Sequence, residues 1–131
     1  MLSRITPFLL RNLKKRYIHA TSKLLNVKEY TDTEEWVLHT PKYIKIGLSK
    51  SAVEQLGTLV FIDYTNEPGD ILEKGDESVS IESVKAVAGV NIPFDCELLE
   101  NNEVHLDDLD KLNENPECEE NSWIIKVKKQ E

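Results

Sequence analysis

The 131-residue chain has few of the residue types from which most active sites are built. It has two cysteines, Cys96 and Cys118, whose spacing forms neither a CxxC pair nor a disulfide framework. In a reducing compartment they are expected to be free thiols. The three histidines, His19, His39 and His105, are too scattered for metal-ligand spacing, and no zinc pattern can be assembled from them. No Ser/His/Asp ordering is present, and the five glycines form no phosphate-cradling loop. These absences exclude most hydrolytic, metal-dependent and nucleotide-dependent chemistry. The apolar run Pro7 to Leu10 is too short for a secretory core or a membrane span. There is no tandem repeat, and Met1 is the only methionine.

Negative charge is missing from the N-terminal end of the chain. Residues 1–28 contain no acid and seven of the 16 basic residues: Arg4, Arg11, Lys14, Lys15, Arg16, Lys23 and Lys28. The other nine basic residues face all 24 acids in residues 29–131, so that body carries about −15 with side chains ionised. Such a body argues against nucleic acid as a partner, because phosphate binding needs clustered cations.

On a helical projection, Leu2, Ile5, Leu9, Leu10, Leu13 and Tyr17 share one arc, with most of the basic residues opposite. An arginine-rich, acid-free amphipathic segment is the mitochondrial import pattern. Residues 1–28 are therefore expected to be a mitochondrial targeting segment, with the body destined for the matrix.

Glycine and proline punctuate the body into short segments. Trp36 to His39 and Tyr43 to Ile46 read as strands joined by a turn at Thr40-Pro41. Ser49 reads as the N-cap of a helix over Lys50 to Leu56, stopped by Gly57. Thr58 to Tyr64 is rich in β-branched and aromatic residues and reads as a strand. Pro68-Gly69 and Lys74-Gly75 are turns around a short strand, Ile71-Leu72. Ser78 to Ile81 and Val87 to Val90 form the arms of a hairpin. Cys96 to Leu99 and Trp123 to Val127 are further strands, and Val104 to Leu112 has helical potential. Many short strands with one or two short helices predict an all-β sandwich or flattened barrel.

Lys85 stands at the head of that hairpin, in Glu82-Ser83-Val84-Lys85-Ala86. Most lysines in such turns merely keep a strand edge soluble. Small or apolar neighbours, however, leave this amine open to an enzyme that grips the turn and acylates it. The segment resembles the lipoyl-attachment motif of the glycine cleavage H-protein family. The resemblance runs from Tyr30 to Val127: Tyr30-Thr31, Glu35-Trp36-Val37, Gly47-Leu48-Ser49, Ala52, Leu56-Gly57, Leu59-Val60-Phe61, Pro68-Gly69 and Lys74-Gly75. Pro93, Glu97, Pro116 and Trp123 continue it.

The resemblance implies a lipoyl-carrier domain over residues 29–131, with a lipoyl-domain-like fold and the modified lysine on a β-hairpin. It implies a carrier rather than an enzyme, with lipoate covalently attached to Lys85 and Glu82, Ser83 and Ala86 read by the lipoyl/octanoyl transferase. The implied partners are the pyridoxal-phosphate glycine decarboxylase, the tetrahydrofolate-dependent aminomethyltransferase and dihydrolipoyl dehydrogenase. Between the first two, the arm would shuttle the aminomethyl group of glycine. The loaded arm would fold into a cleft whose polar positions are matched by Thr33 and Glu35, while the cleft's customary aspartate is Gly89 here. Glu34 stands where the family usually has histidine, and Cys96 and Ser122 stand where it has glycine. Two alternatives are a divergent H-like protein relaying lipoyl groups to other complexes and a non-lipoylated acidic adaptor. A biotin carrier fits poorly, because Val84 and Ala86 occupy flanks that are usually methionine.

Overall fold

In a computed structural model that describes residues 26–130, the body is predominantly β, with two antiparallel sheets and three short helices. The larger sheet has the order β1-β2-β3-β9-β8-β5. Its strands are β1 (Val27–Tyr30), β2 (Glu35–His39), β3 (Ile44–Leu48), β5 (Ile71–Leu72), β8 (Cys96–Asn101) and β9 (Ile125–Lys129). The smaller sheet, β4-β6-β7, comprises Leu59–Tyr64, Glu77–Ser83 and Val87–Asn91. The helices are α1 (Lys50–Leu56), α2 (Val104–Asp107) and α3 (Asp110–Glu114).

The targeting expectation for residues 1–28 falls largely outside the described residues. Val27 and Lys28 already belong to β1, which pairs with β2 through Val27↔His39 and Lys28↔Leu38. The Lys28 ammonium lies 4.9 Å from the Trp36 ring centroid and bridges Glu117 and Glu119 at 3.4 and 3.6 Å.

Alternation sorts the strands into inward and outward rows, as a pleated surface requires. Ile46, Ile125, Val127 and Leu98 from the larger sheet meet Ile62, Val79, Ile81 and Val90 from the smaller one, all buried in one core. The opposite face of β2 buries Trp36 and Leu38 with Trp123 in a second cluster, so that face is covered too. Trp36 donates its indole N–H to the Pro116 carbonyl at 2.9 Å. Its ring also fills the space beside Gly47, where an added Cβ would lie 2.5 Å from Cε2. Gly47 is thus a steric requirement of the indole.

Helix α1 starts and stops as its sequence dictates. The Ser49 hydroxyl accepts from the Ala52 amide at 3.1 Å, and Gly57 closes the helix at φ +81°. Val104 to Leu112 breaks into two helices, because Asp108 is extended and its carboxylate accepts from the Asp110 amide at 2.8 Å. This local side-chain bond competes with helix continuation.

Candidate functional site

Strands β6 and β7 form a hairpin whose head is Val84-Lys85-Ala86. Ser83 fixes that head. Its hydroxyl accepts from the Lys85 and Ala86 amides at 3.1 and 3.0 Å and donates to the Ala86 carbonyl at 3.2 Å. The Ser83 amide donates to the same carbonyl at 2.8 Å, and the Val84 amide donates to Thr58 at 3.0 Å. The turn is therefore bolted both to itself and to the segment leaving α1.

Lys85 is exposed, and its stem runs past Gly57. A Cβ on Gly57 would lie 3.3 Å from Lys85 Cε, so the residue ending α1 also leaves room for the lysine. Glu82 is exposed on the outer face of the small sheet, paired with Phe61 on one side and Val87 on the other. Phe61 and Val87 are themselves exposed, which gives an apolar–acidic–apolar row beside the lysine. Ala86 is exposed as well. Among the three residues expected to be read by a ligase, Glu82 and Ala86 face outward, while the Ser83 hydroxyl is consumed within the turn.

A cleft of about 300 Å³ opens alongside, lined by Thr33, Glu34, Leu48, Gln55, Ala88 and Gly89, among others. Leu56, the neighbour of Gly57, belongs to the same wall, so the cleft begins next to the lysine stem. Glu35 is buried behind this wall at the start of β2. Its carboxylate accepts from the Thr31 and Thr33 hydroxyls and, at 3.3 Å, from the Asn91 amide of β7. Thr33 and Glu35 are thus brought together, and they tie the larger sheet to the edge strand of the smaller one.

Glu34 is a functional-looking residue that the sequence reading noted only as a departure from histidine. It takes φ +70°, the single positive φ outside glycine among the described residues. Its carboxylate accepts from Ser51 at 3.0 Å and Gln55 at 3.1 Å, and its carbonyl accepts from the Ser49 amide at 2.9 Å. These bonds hold a conformation that costs a non-glycine residue energy, and they clamp α1 over the cleft.

The other departures are accommodated without strain. Cys96 opens β8 fully buried and without positive φ, so this strand position has no need of glycine. Ser122 is buried and donates to the Asn115 carbonyl at 2.6 Å. Gly89 also lacks positive φ; what it provides is space, occupied by the Glu77 side chain.

A β sandwich that fixes one lysine on a hairpin head beside a small cleft has the architecture of the lipoyl-carrier class of protein. The family description "Glycine cleavage H-protein" matches residues 28–131, and the chain belongs to that family. A glycine cleavage system H protein of Dinoroseobacter shibae is 42% identical over 99 residues, covering 76% of this chain and 79% of the relative. The Thermotoga maritima H protein is 38% identical over 103 residues, covering 79% and 81%. The crystal structure of the Mycobacterium marinum H protein superposes with a TM-score of 0.70 at 27% identity, covering 79% of this chain and 84% of that one. The family consists of carrier proteins rather than enzymes, and membership places the chain in the glycine cleavage system.

The comparisons correct the expected location. The relatives from Dinoroseobacter, Prochlorococcus and Thermotoga are bacterial proteins, from organisms that have no mitochondrial matrix. The amphipathic pattern that prompted the mitochondrial expectation lies mostly in residues 1–25, outside the described residues. Helical periodicity with basic residues is a pattern of composition, and composition alone does not specify an import address.

Proposed function

We propose that Lys85 carries lipoate in amide linkage. The modified chain then ferries the aminomethyl group of glycine from the pyridoxal-phosphate decarboxylase to the tetrahydrofolate-dependent aminomethyltransferase. The observation that carries this reading is a single lysine held on a hydrogen-bonded hairpin head, with its stem against Gly57 and a cleft of mixed polar and apolar lining beginning beside it. The residues fit the group. Lys85 Nζ is free to form the amide, and Thr33, Glu34 and Gly89 border a space that an arm attached there can enter. When bound, lipoate supplies a disulfide that accepts cargo and a dithiol that dihydrolipoyl dehydrogenase reoxidises.

The chain's own contribution is placement. Tethering raises the local concentration of the reactive sulfurs at each successive active site. Ser83 fixes the shape of the head through its hydroxyl bonds to Lys85 and Ala86, and Glu82, between Phe61 and Val87, gives the lipoyl/octanoyl transferase a charged handle. The carrier domain is read as residues 29–131, and a first strand beginning at Val27 supports a boundary close to that position. Replacement Lys85→Arg retains the charge but removes the acyl acceptor. Intact mass after incubation with an octanoyl donor and its transferase is expected to show one acyl increment on the wild type and none on the variant. Acylation of the variant would assign the site to another lysine.

A further inference from the structure

Among the described residues the hairpin head has one backbone tie outside the hairpin: the Val84 amide donates to the Thr58 carbonyl at 3.0 Å. How steadily Lys85 is presented therefore depends on how firmly Thr58 is held. Thr58 leads from Gly57 into β4, and β4 is an edge strand, paired with β6 on one side only. Alternate residues of an edge strand turn their amide and carbonyl away from the sheet, where both need partners. At Leu59 both partners come from one side chain. The Leu59 amide donates to Asn113 Oδ1 at 2.8 Å, and Asn113 Nδ2 donates to the Leu59 carbonyl at 3.0 Å. The carboxamide thus stands in for a neighbouring strand. Asn113 belongs to α3, and the preceding residue, Leu112, is fully buried in the same core as Leu59. The anchored helix gives the carboxamide a fixed base.

We propose that Asn113 is a positioning residue for acylation of Lys85, acting through Leu59, Thr58 and Val84. This deepens the carrier reading above and rests on it. In the acylation, the Lys85 amine forms an amide bond to the carbonyl of an octanoyl thioester. The C–S bond breaks, and the amine's proton leaves with the thiol. Asn113 takes no part in that bond making. Ser83 shapes the turn from within, whereas Asn113 sets where the shaped turn sits. The position calls for asparagine because one short planar group must both accept and donate. Aspartate would accept from the Leu59 amide but would turn its charge on the Leu59 carbonyl. Alanine would leave both backbone groups to water. Either change lets the start of β4 and the Val84 bond open more often, so the head spends less time in the form that the transferase grips. A competent state populated only in part weakens apparent affinity by that fraction and leaves the bound complex as it was. The signature is a raised KM at constant kcat.

The test uses the full-length chain, an octanoyl thioester donor and its transferase, with octanoyl transfer followed by intact mass over a range of carrier concentrations. Asn113→Ala and Asn113→Asp are each expected to raise KM about fivefold, the size of one net hydrogen bond lost, with kcat unchanged. Asn113→Asp keeps the side-chain shape and decides the matter alone if alanine impairs folding. Amide hydrogen exchange at Val84 should quicken about fivefold in the same variants. Val127→Ala truncates a buried side chain of β9 in the larger sheet, so it lowers Tm at least as much, yet it should keep the wild-type KM. Wild-type KM in the Asn113 variants would overturn the inference while leaving the carrier reading intact. Unchanged exchange at Val84 would do the same, as would an equal rise in KM for Val127→Ala, which would trace the effect to general loss of stability. A wild type that takes no octanoyl group would remove the carrier reading and this role for Asn113 together.

Discussion

Cys96 and Cys118 have the same side chain in two opposite settings. Burial is the main cause that pushes the Cys96 thiol up to about 11, with Asp95 and Asp76 adding to it. Cys118 is partly exposed, and the Asn121 and Glu120 backbone N–H groups hold its thiol below the ordinary value. Because the thiolate is the nucleophile, iodoacetamide at pH 7.5 is expected to label Cys118 at least about tenfold faster than Cys96. Peptide mapping over a time course reads this directly, and equal rates would mean that β8 opens locally at its Cys96 end. The sequence identifies both residues as free thiols but cannot rank them, because the ranking depends on strand pairing and on the turn at 118–122. Position 89 poses the same problem. Its departure from aspartate is visible in the chain, whereas the packing of the Glu77 side chain over it depends on the β6–β7 register, which shifts between Glu77 and Val79.

Local chemistry makes most of the elements legible. Ser49 and Gly57 bound α1 as their caps require, and the hairpin around Lys85 follows from two alternating arms and a small-residue head. What the alternation hides is the bulge in β4 between Leu59 and Phe61, which leaves Val60 and Phe61 both exposed on consecutive positions. That irregularity turns Phe61 outward beside Glu82, and no period-2 pattern predicts it. The hairpin head supplies the prediction for this scale. Ser83→Ala removes three side-chain hydrogen bonds from the turn without opening the core. A net loss on the order of 1 kcal/mol in preorganisation lowers the rate of acyl transfer to Lys85 about fivefold, with little change in Tm. Ser83→Thr keeps the hydroxyl and should restore most of the rate. If threonine is as slow as alanine, the transferase is reading side-chain size at position 83, and the hydrogen bonds are not what it needs.

The two-sheet body and its acidity could be foreseen from strand spacing and charge counts. The strand order could not. Pairing β3 with β9 and β5 with β8 joins segments far apart in the chain, and only the packed core decides between such pairings. The net charge, by contrast, acts on the molecule as a whole. In the proposed carrier role, a body near −15 presents a broad negative field to the partner enzymes' docking faces. Steering by that field shows in association rates, and salt removes it as the Debye length shrinks from about 30 Å at 0.01 M to about 8 Å at 0.15 M. Loading by the decarboxylase under subsaturating carrier is therefore expected to slow about tenfold or more across that range. The rate at saturating carrier should stay nearly constant, because the step after docking gains nothing from steering. Stopped-time mass measurements at a series of NaCl concentrations separate the two regimes. A subsaturating rate that ignores salt would shift the recognition energy from the acidic field to the exposed apolar pair, Phe61 and Val87, flanking Glu82.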